Sequence, residues 1–179
     1  MIYVFLANGF EECEALAPID ILKRAGFDVI TVGVNGKTAV GAHNIPVVCD
    51  ITTNEVILDG LQAVILPGGM PGTINLENDK TVQAAIDFAS KNGLLIGAIC
   101  AAPSILGHKG LLNNKKATCF PGFEKDLLGA EYIDTAVVRD GNIITAKGAG
   151  VAFQFGFELL AYLKDEKTAN DLKIQMMFK

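Results

Sequence analysis

The chain has no tryptophan, only two histidines and only four cysteines in 179 residues. Cys13, Cys49, Cys100 and Cys119 form no Cys-x-x-Cys pair, and His43 and His108 fall at no ligand spacing. Zinc or any other bound metal is therefore not expected. With no signal-peptide pattern, the cysteines read as free thiols of a reducing, cytoplasmic compartment rather than as a disulfide framework. No apolar run reaches the length of a membrane span. Basic residues are sparse: 15 Lys and Arg stand against 20 Asp and Glu, for a net charge of −5. Lys115-Lys116 is the one close basic pair in mid-chain. Nothing forms the basic stripe that a phosphate backbone needs, so neither nucleic acid nor a membrane is an expected partner. Repeats, linkers and low-complexity segments are missing as well.

Half of the residues are hydrophobic and a fifth are charged, which suits one domain over 1–179 with a sizeable core. Short apolar runs at 2–7, 27–34, 62–66 and 94–99 read as buried strands, with weaker strand patterns at 45–49 and 116–119. Helical patterns separate them. One runs from Glu11 to Ala25 and is stopped by Gly26. Another is capped by Asp79 and runs to Lys91. A third spans about 101–109, and two more, at about 150–163 and 165–177, finish the chain. Residues 133–138 and 142–146 flank Asp140-Gly141 as a hairpin. The alternation predicts an α/β fold with a mostly parallel sheet covered on both faces.

The segment G-A-I-C-A-A-P, residues 97–103, runs an apolar strand into a cysteine, then small residues, then a helix. A nucleophile on such a turn needs a strained backbone and small neighbours, as in the serine elbow of α/β hydrolases. At a helix N-terminus the Cys100 thiol is expected to be acidified below its free value of about 8.5. An inert packed cysteine fits the same heptapeptide, and two further segments favour the nucleophile. Leu66-Pro67-Gly68-Gly69 ends a strand with glycines that let a backbone N–H approach a substrate oxygen, and with the Ala101 N–H this could form an oxyanion hole. G-F-E-E-C-E, residues 9–14, places three acids in four residues after the first strand. Ordinary helix N-terminal chemistry accounts for Glu11 and Glu12. It accounts less well for Glu14, whose neighbours Ala15, Leu16, Ala17 and Ile19 suggest burial.

These segments, with A-I-C-A-A-P at 98–103 and G-A-G-V-A-F-Q-F at 148–155, resemble the ThiJ/PfpI superfamily within the class I glutamine amidotransferase-like fold, and its DJ-one branch in particular. The resemblance covers essentially the whole chain. It implies a flavodoxin-like three-layer sandwich, a homodimer and an oxidation-sensitive nucleophile at Cys100. It also implies a hydrogen-bonding glutamate at Glu14 and oxyanion donors at Gly69 and Ala101. Gly68, Phe120, Arg24 and His43 would lie at or near the pocket; the alternative for Arg24 and His43 is an ordinary solvated surface residue, and for His43 that is the preferred reading.

The implied activity is a cofactor-free glyoxalase or deglycase acting on methylglyoxal or early glycation adducts, in carbonyl and oxidative stress. The alternative is a redox sensor or chaperone that works through Cys100 oxidation. Peptidase and glutaminase chemistry is not expected. Phe120 and Ala101 stand where other members carry a histidine, and both reactions need a Cys–His pair. His108, eight residues past Cys100, would lie about 12 Å along a helix.

Overall fold

The structure, a computed structural model, describes Met1–Phe178. β1 (Ile2–Leu6) is buried along its whole length. It is followed by α1 (Glu12–Arg24), β2 (Val29–Gly33), β3 (Thr38–Val40), β4 (Pro46–Val48), β5 (Ile51–Thr52) and β6 (Ala63–Leu66). Next come α2 (Gly72–Asn78), α3 (Lys80–Lys91), β7 (Leu95–Ile99) and α4 (Pro103–His108). Then follow β8 (Lys116–Ala117), β9 (Glu131–Tyr132), β10 (Val137–Asp140), β11 (Ile143–Ala146), α5 (Ala152–Leu163) and α6 (Glu166–Gln175). The main sheet has the order β10-β11-β7-β6-β1-β2-β5, parallel except for the β10–β11 hairpin.

Side chains alternate across the strands and divide the core in two. Ile2, Val4 and Leu6 of β1 face α1, α5 and α6. Tyr3 and Phe5 face the layer of α2, α3 and α4. The expected three-layer α/β sandwich with a mostly parallel sheet is thus the observed one. Among the described residues no helix is long and apolar enough to cross a membrane.

Several boundaries move for identifiable reasons. The strand expected at 116–119 stops at Ala117, because Thr118 turns its N–H to the Thr145 hydroxyl at 2.9 Å. Residues 131–133 pair with that short strand, so β10 starts only at Val137. The hairpin turn is Gly141-Asn142, between paired Asp140 and Ile143. The pattern at 45–49 becomes β4, which pairs with β3 in a ribbon outside the main sheet. α4 opens at Pro103 rather than 101. α2 was not anticipated. Asp79 caps α3 as expected, accepting from the Thr81 and Val82 N–H groups at 2.9 Å each.

Two glycines let α5 lie close to its neighbours. A Cβ on Gly97 of β7 would sit 2.8 Å from Leu159, and one on Gly156 of α5 would sit 2.6 Å from Ile21 and 3.1 Å from the Pro18 backbone. A side chain at 156 must therefore push α1 and α5 apart. Gly156→Leu is expected to cost about 3 kcal/mol, read as a lowered urea midpoint with an unchanged denaturant slope. An unchanged midpoint would mean that the two helices do not need this contact.

Candidate active site

The register brings the carboxyl ends of β1, β6 and β7 side by side, with Ile65 beside both Val4 and Gly97. In parallel sheets ligands bind at such ends, next to the point where strand order reverses. Here that point lies between β1 and β6. Cys100 follows β7 directly and has φ 65°, a left-handed backbone that non-glycine residues avoid. Its N–H donates to the Ala146 carbonyl at 2.9 Å, and its own carbonyl accepts from the Phe120 N–H at 2.9 Å. The side chain is half-buried at the base of a cleft of about 430 Å³.

Glu14 reaches the same place from the first turns of α1. Its carboxyl is buried beside Cys100 and accepts from the Gly68 N–H at 2.9 Å. Gly68 must be glycine: a Cβ there would lie 2.6 Å from the Cys100 Cβ and 2.8 Å from Glu14 Oε2. Gly69, at φ 88°, is pressed equally hard against the Phe10-Glu11 backbone. Its N–H and that of Ala101 lie near the Cys100 sulfur and favour its thiolate.

Burial pushes the Glu14 carboxyl up to about 7, against the bonds it makes to Cys100 and Gly68. The expected acidification of Cys100 is not what this geometry produces. Burial, and then the neighbouring Glu14 charge, push the thiol up to about 12, and the Gly69 and Ala101 N–H groups offset only part of that. α4 gives little help: it begins three residues after the sulfur and is six residues long. The two groups form one unit in which a proton on Glu14 removes the charge that opposes a thiolate.

Gly69, Ala101, Phe120 and His43 line the cleft with Cys100 and Glu14. Arg24 does not. It sits at the far end of α1, about 15 Å from Glu14 along the helix, and its Nε pairs with Asp20 at 2.7 Å. His43 arrives through the loop between β3 and β4. Its N–H donates to Glu12 Oε1, and its Nδ1 lies against Glu12 Oε2, each at 2.8 Å. Hydrogen bonding to Glu12 raises the imidazole pKa, helped by the Glu11 charge. Glu11, Glu12 and His43 thereby form a trio of donor atoms within 4.8 Å of one another, which ligand spacing along the chain could not reveal. His108 is occupied elsewhere, with Nδ1 2.6 Å from Glu77. Met70, Phe123 and Ala149 also line the cleft and were missed; only the Gly148-Ala149-Gly150 run hinted at one of them.

The DJ-1/PfpI family model matches residues 1–162. The chain belongs to the DJ-1/PfpI family. It is 34% identical to protein dj-1beta of Drosophila melanogaster over 94% of this chain and 92% of that protein. It is 33% identical to a deglycase of Pyrococcus horikoshii over 88% of this chain and 96% of that one. The crystal structure of a DJ-1 superfamily protein from Salmonella typhimurium superposes with a TM-score of 0.93 at 36% identity, covering 99% of this chain and 98% of the other.

The raised Glu14 carboxyl has a consequence for stability. Between about pH 4.5 and 7 the folded chain keeps a proton that the unfolded chain has released. This group's contribution is therefore fully present below about 4.5 and is lost as the pH rises through about 7. Melts of the wild-type and Glu14→Gln proteins across that window should diverge, with only the wild type losing stability to this group. Parallel curves would show that the carboxyl is not raised.

Proposed function

We propose that this chain is a cofactor-free deglycase and glyoxalase, in which Cys100 is the nucleophile and Glu14 carries the proton. The observation that supports this most is the buried Glu14–Cys100 pair, flanked by the Gly69 and Ala101 N–H groups. A base with a pKa near 7 is matched to neutral pH. As the sulfur attacks the aldehyde carbon of methylglyoxal, its proton passes to Glu14 and the two N–H groups hold the oxyanion. The product is a hemithioacetal. Glu14 then moves the proton from the sulfur-bearing carbon to the neighbouring carbonyl carbon by way of an enediol, leaving a thioester of lactate. Water cleaves the thioester to lactic acid and frees the thiol. The sequence adds one water to the dicarbonyl and needs no external oxidant or reductant. With a hemiaminal adduct of methylglyoxal, the carbon–nitrogen bond breaks as the carbon–sulfur bond forms, the amine leaves with the thiol's proton by way of Glu14, and the same hemithioacetal goes on to lactate. The deglycase of Pyrococcus horikoshii supports this substrate class.

The raised thiol weighs against a sensor that depends on a standing thiolate for fast reaction with peroxide. His43 is held by Glu12, which weighs against a Cys–His peptidase.

The two-fold assembly also belongs to this reading. α1 presents Leu16, 40% exposed, and Cys13 beside Ile45 and Phe153, in an apolar groove suited to a second copy. Sedimentation at micromolar concentration should give a dimer, and Leu16→Glu a monomer; a monomeric wild type would remove the assembly from the proposal.

Lactate formation from methylglyoxal should rise with pH through about 7 as Glu14 becomes a base. It should fall at least about a hundredfold in Cys100→Ala, and comparably in Glu14→Gln. Turnover that survives Cys100→Ala would overturn the mechanism.

A further inference from the structure

Cleavage of an acyl group from Cys100 requires an activated water, and Glu14 is poorly placed to supply it. Its carboxyl is buried beside the sulfur and bonded to the Gly68 N–H. The open side of the cleft carries His43, whose side chain is 68% exposed.

This imidazole is held at one end. Both neighbouring carboxylates lie on its Nδ1 side, Glu12 Oε2 at 2.8 Å and Glu11 Oε2 at 3.5 Å. Glu12 is itself buried. Burial opposes its charge, but the bonds from the His43 ring and from backbone N–H groups outweigh this and hold the carboxyl below its ordinary value. An ionised carboxylate only accepts hydrogen bonds, so the proton of a neutral His43 sits on Nδ1. Nε2 has no protein partner among the described residues, and it carries the free lone pair. Glu12 Oε1 takes the His43 N–H at 2.8 Å, and the Ala42 N–H bonds the Phe10 carbonyl at 2.8 Å, so the loop that carries the ring is pinned as well. A buried carboxylate on Nδ1 with Nε2 open is the arrangement by which serine hydrolases hold a histidine as a base.

We infer that Glu12 and His43 form a dyad that hydrolyses the acyl-Cys100 intermediate, with His43 as the general base for water and Glu12 as its positioning residue. The inference rests on the glyoxalase reading for the identity of the acyl group, lactoyl, and not for the chemistry of its removal. The cleft of about 430 Å³ has room for the thioester and for water, each molecule of which takes about 30 Å³. The water oxygen bonds to the thioester carbon as its proton passes to His43 Nε2, and the Gly69 and Ala101 N–H groups hold the oxyanion. Collapse breaks the carbon–sulfur bond. The acid departs, and the imidazolium returns its proton to the Glu14–Cys100 pair, which restores the thiol. His43 takes no proton from the thiol, so the dyad does not make a Cys–His peptidase.

p-Nitrophenyl acetate supplies the test, because it acetylates a thiol without any glyoxalase step. Acetyl-Cys100 would be followed by peptide mass mapping in the wild-type, His43→Gln, His43→Ala and Glu12→Gln proteins. Acetylation should stay within about twofold of wild type in each, while release of the acetyl group slows about a hundredfold in both His43 variants. Added imidazole should restore release in His43→Ala well beyond its effect on the wild type. In Glu12→Gln the amide oxygen keeps the His43 N–H and the amide N–H donates to Nδ1, which moves the ring proton to Nε2. Release should then slow at least about tenfold, and the NMR signals of the His43 ring nitrogens should report the exchanged tautomer. Release at the wild-type rate in the His43 variants overturns the dyad. So does an equal loss of acetylation and release, or slow release that imidazole leaves unchanged, since either makes His43 only a prop for the ribbon. A wild-type rate or an unchanged tautomer in Glu12→Gln overturns the part given to Glu12.

Methylglyoxal separates the dyad from the reading on which it rests. In His43→Gln a lactoyl thioester that hydroxylamine releases should accumulate on Cys100. If the wild type makes no lactate yet clears acetyl-Cys100 through His43, the glyoxalase reading fails and the dyad stands as a thioesterase. If lactate forms and no thioester accumulates in His43→Gln, the dyad fails and the glyoxalase reading stands.

Discussion

Cys100 keeps a backbone angle, φ 65°, that costs an ordinary residue on the order of 1–3 kcal/mol. The surrounding segments are arranged to hold it there. β11 fixes the N–H through Ala146, and the segment after β8 fixes the carbonyl through Phe120. Ala101 and Ala102, both buried, leave room for the turn into α4. Opposite them, Gly68 has no side chain because the Cys100 Cβ and the Glu14 carboxyl already occupy that space. The left-handed cysteine, the missing side chain at 68 and the buried acid are one packing solution. It aims the sulfur into the cleft and places a carboxyl beside it.

That solution explains why the electrostatics run opposite to a simple helix-terminus argument. A sulfur packed this closely against a carboxyl loses water before it gains much from backbone dipoles. Desolvation and the Glu14 charge together exceed what the two N–H groups return. The pair therefore works by moving one proton between its members, and the acid is as much a part of the nucleophile as the sulfur.

Much of this was legible in the sequence wherever the signal was local. An apolar run ending in Cys-Ala-Ala-Pro fixes the turn at the end of β7, and Pro-Gly-Gly after an apolar run fixes the neighbouring one. Glu14 stood out because apolar residues surround it. What failed depended on contacts distant in the chain. α2 lies behind a run of prolines and glycines, and Gly72–Asn78 has too few apolar residues to show a helical period. His43 reaches the cleft only because the β3–β4 ribbon folds back over the start of α1, with Gly9 bonded to Val40 and Ala42 bonded to Phe10 at 2.8 Å each. Thiol acidity depends on burial and a partner's charge, and no spacing rule encodes either.

The ribbon's attachment ties together two positions that a sequence alone would treat as independent. A Cβ on Gly41 would sit 2.2 Å from Glu12 Oε1, the same oxygen that receives the His43 N–H. The bare position at 41 and the acid at 12 therefore occupy one space between them. A descendant that keeps Glu12 can take a side chain at 41 only by moving the carboxylate off His43, whereas one that shortens residue 12 to alanine releases 41 and leaves His43 without its anchor. Across diverging chains the three positions should drift together, as a unit written in two separate stretches of the gene.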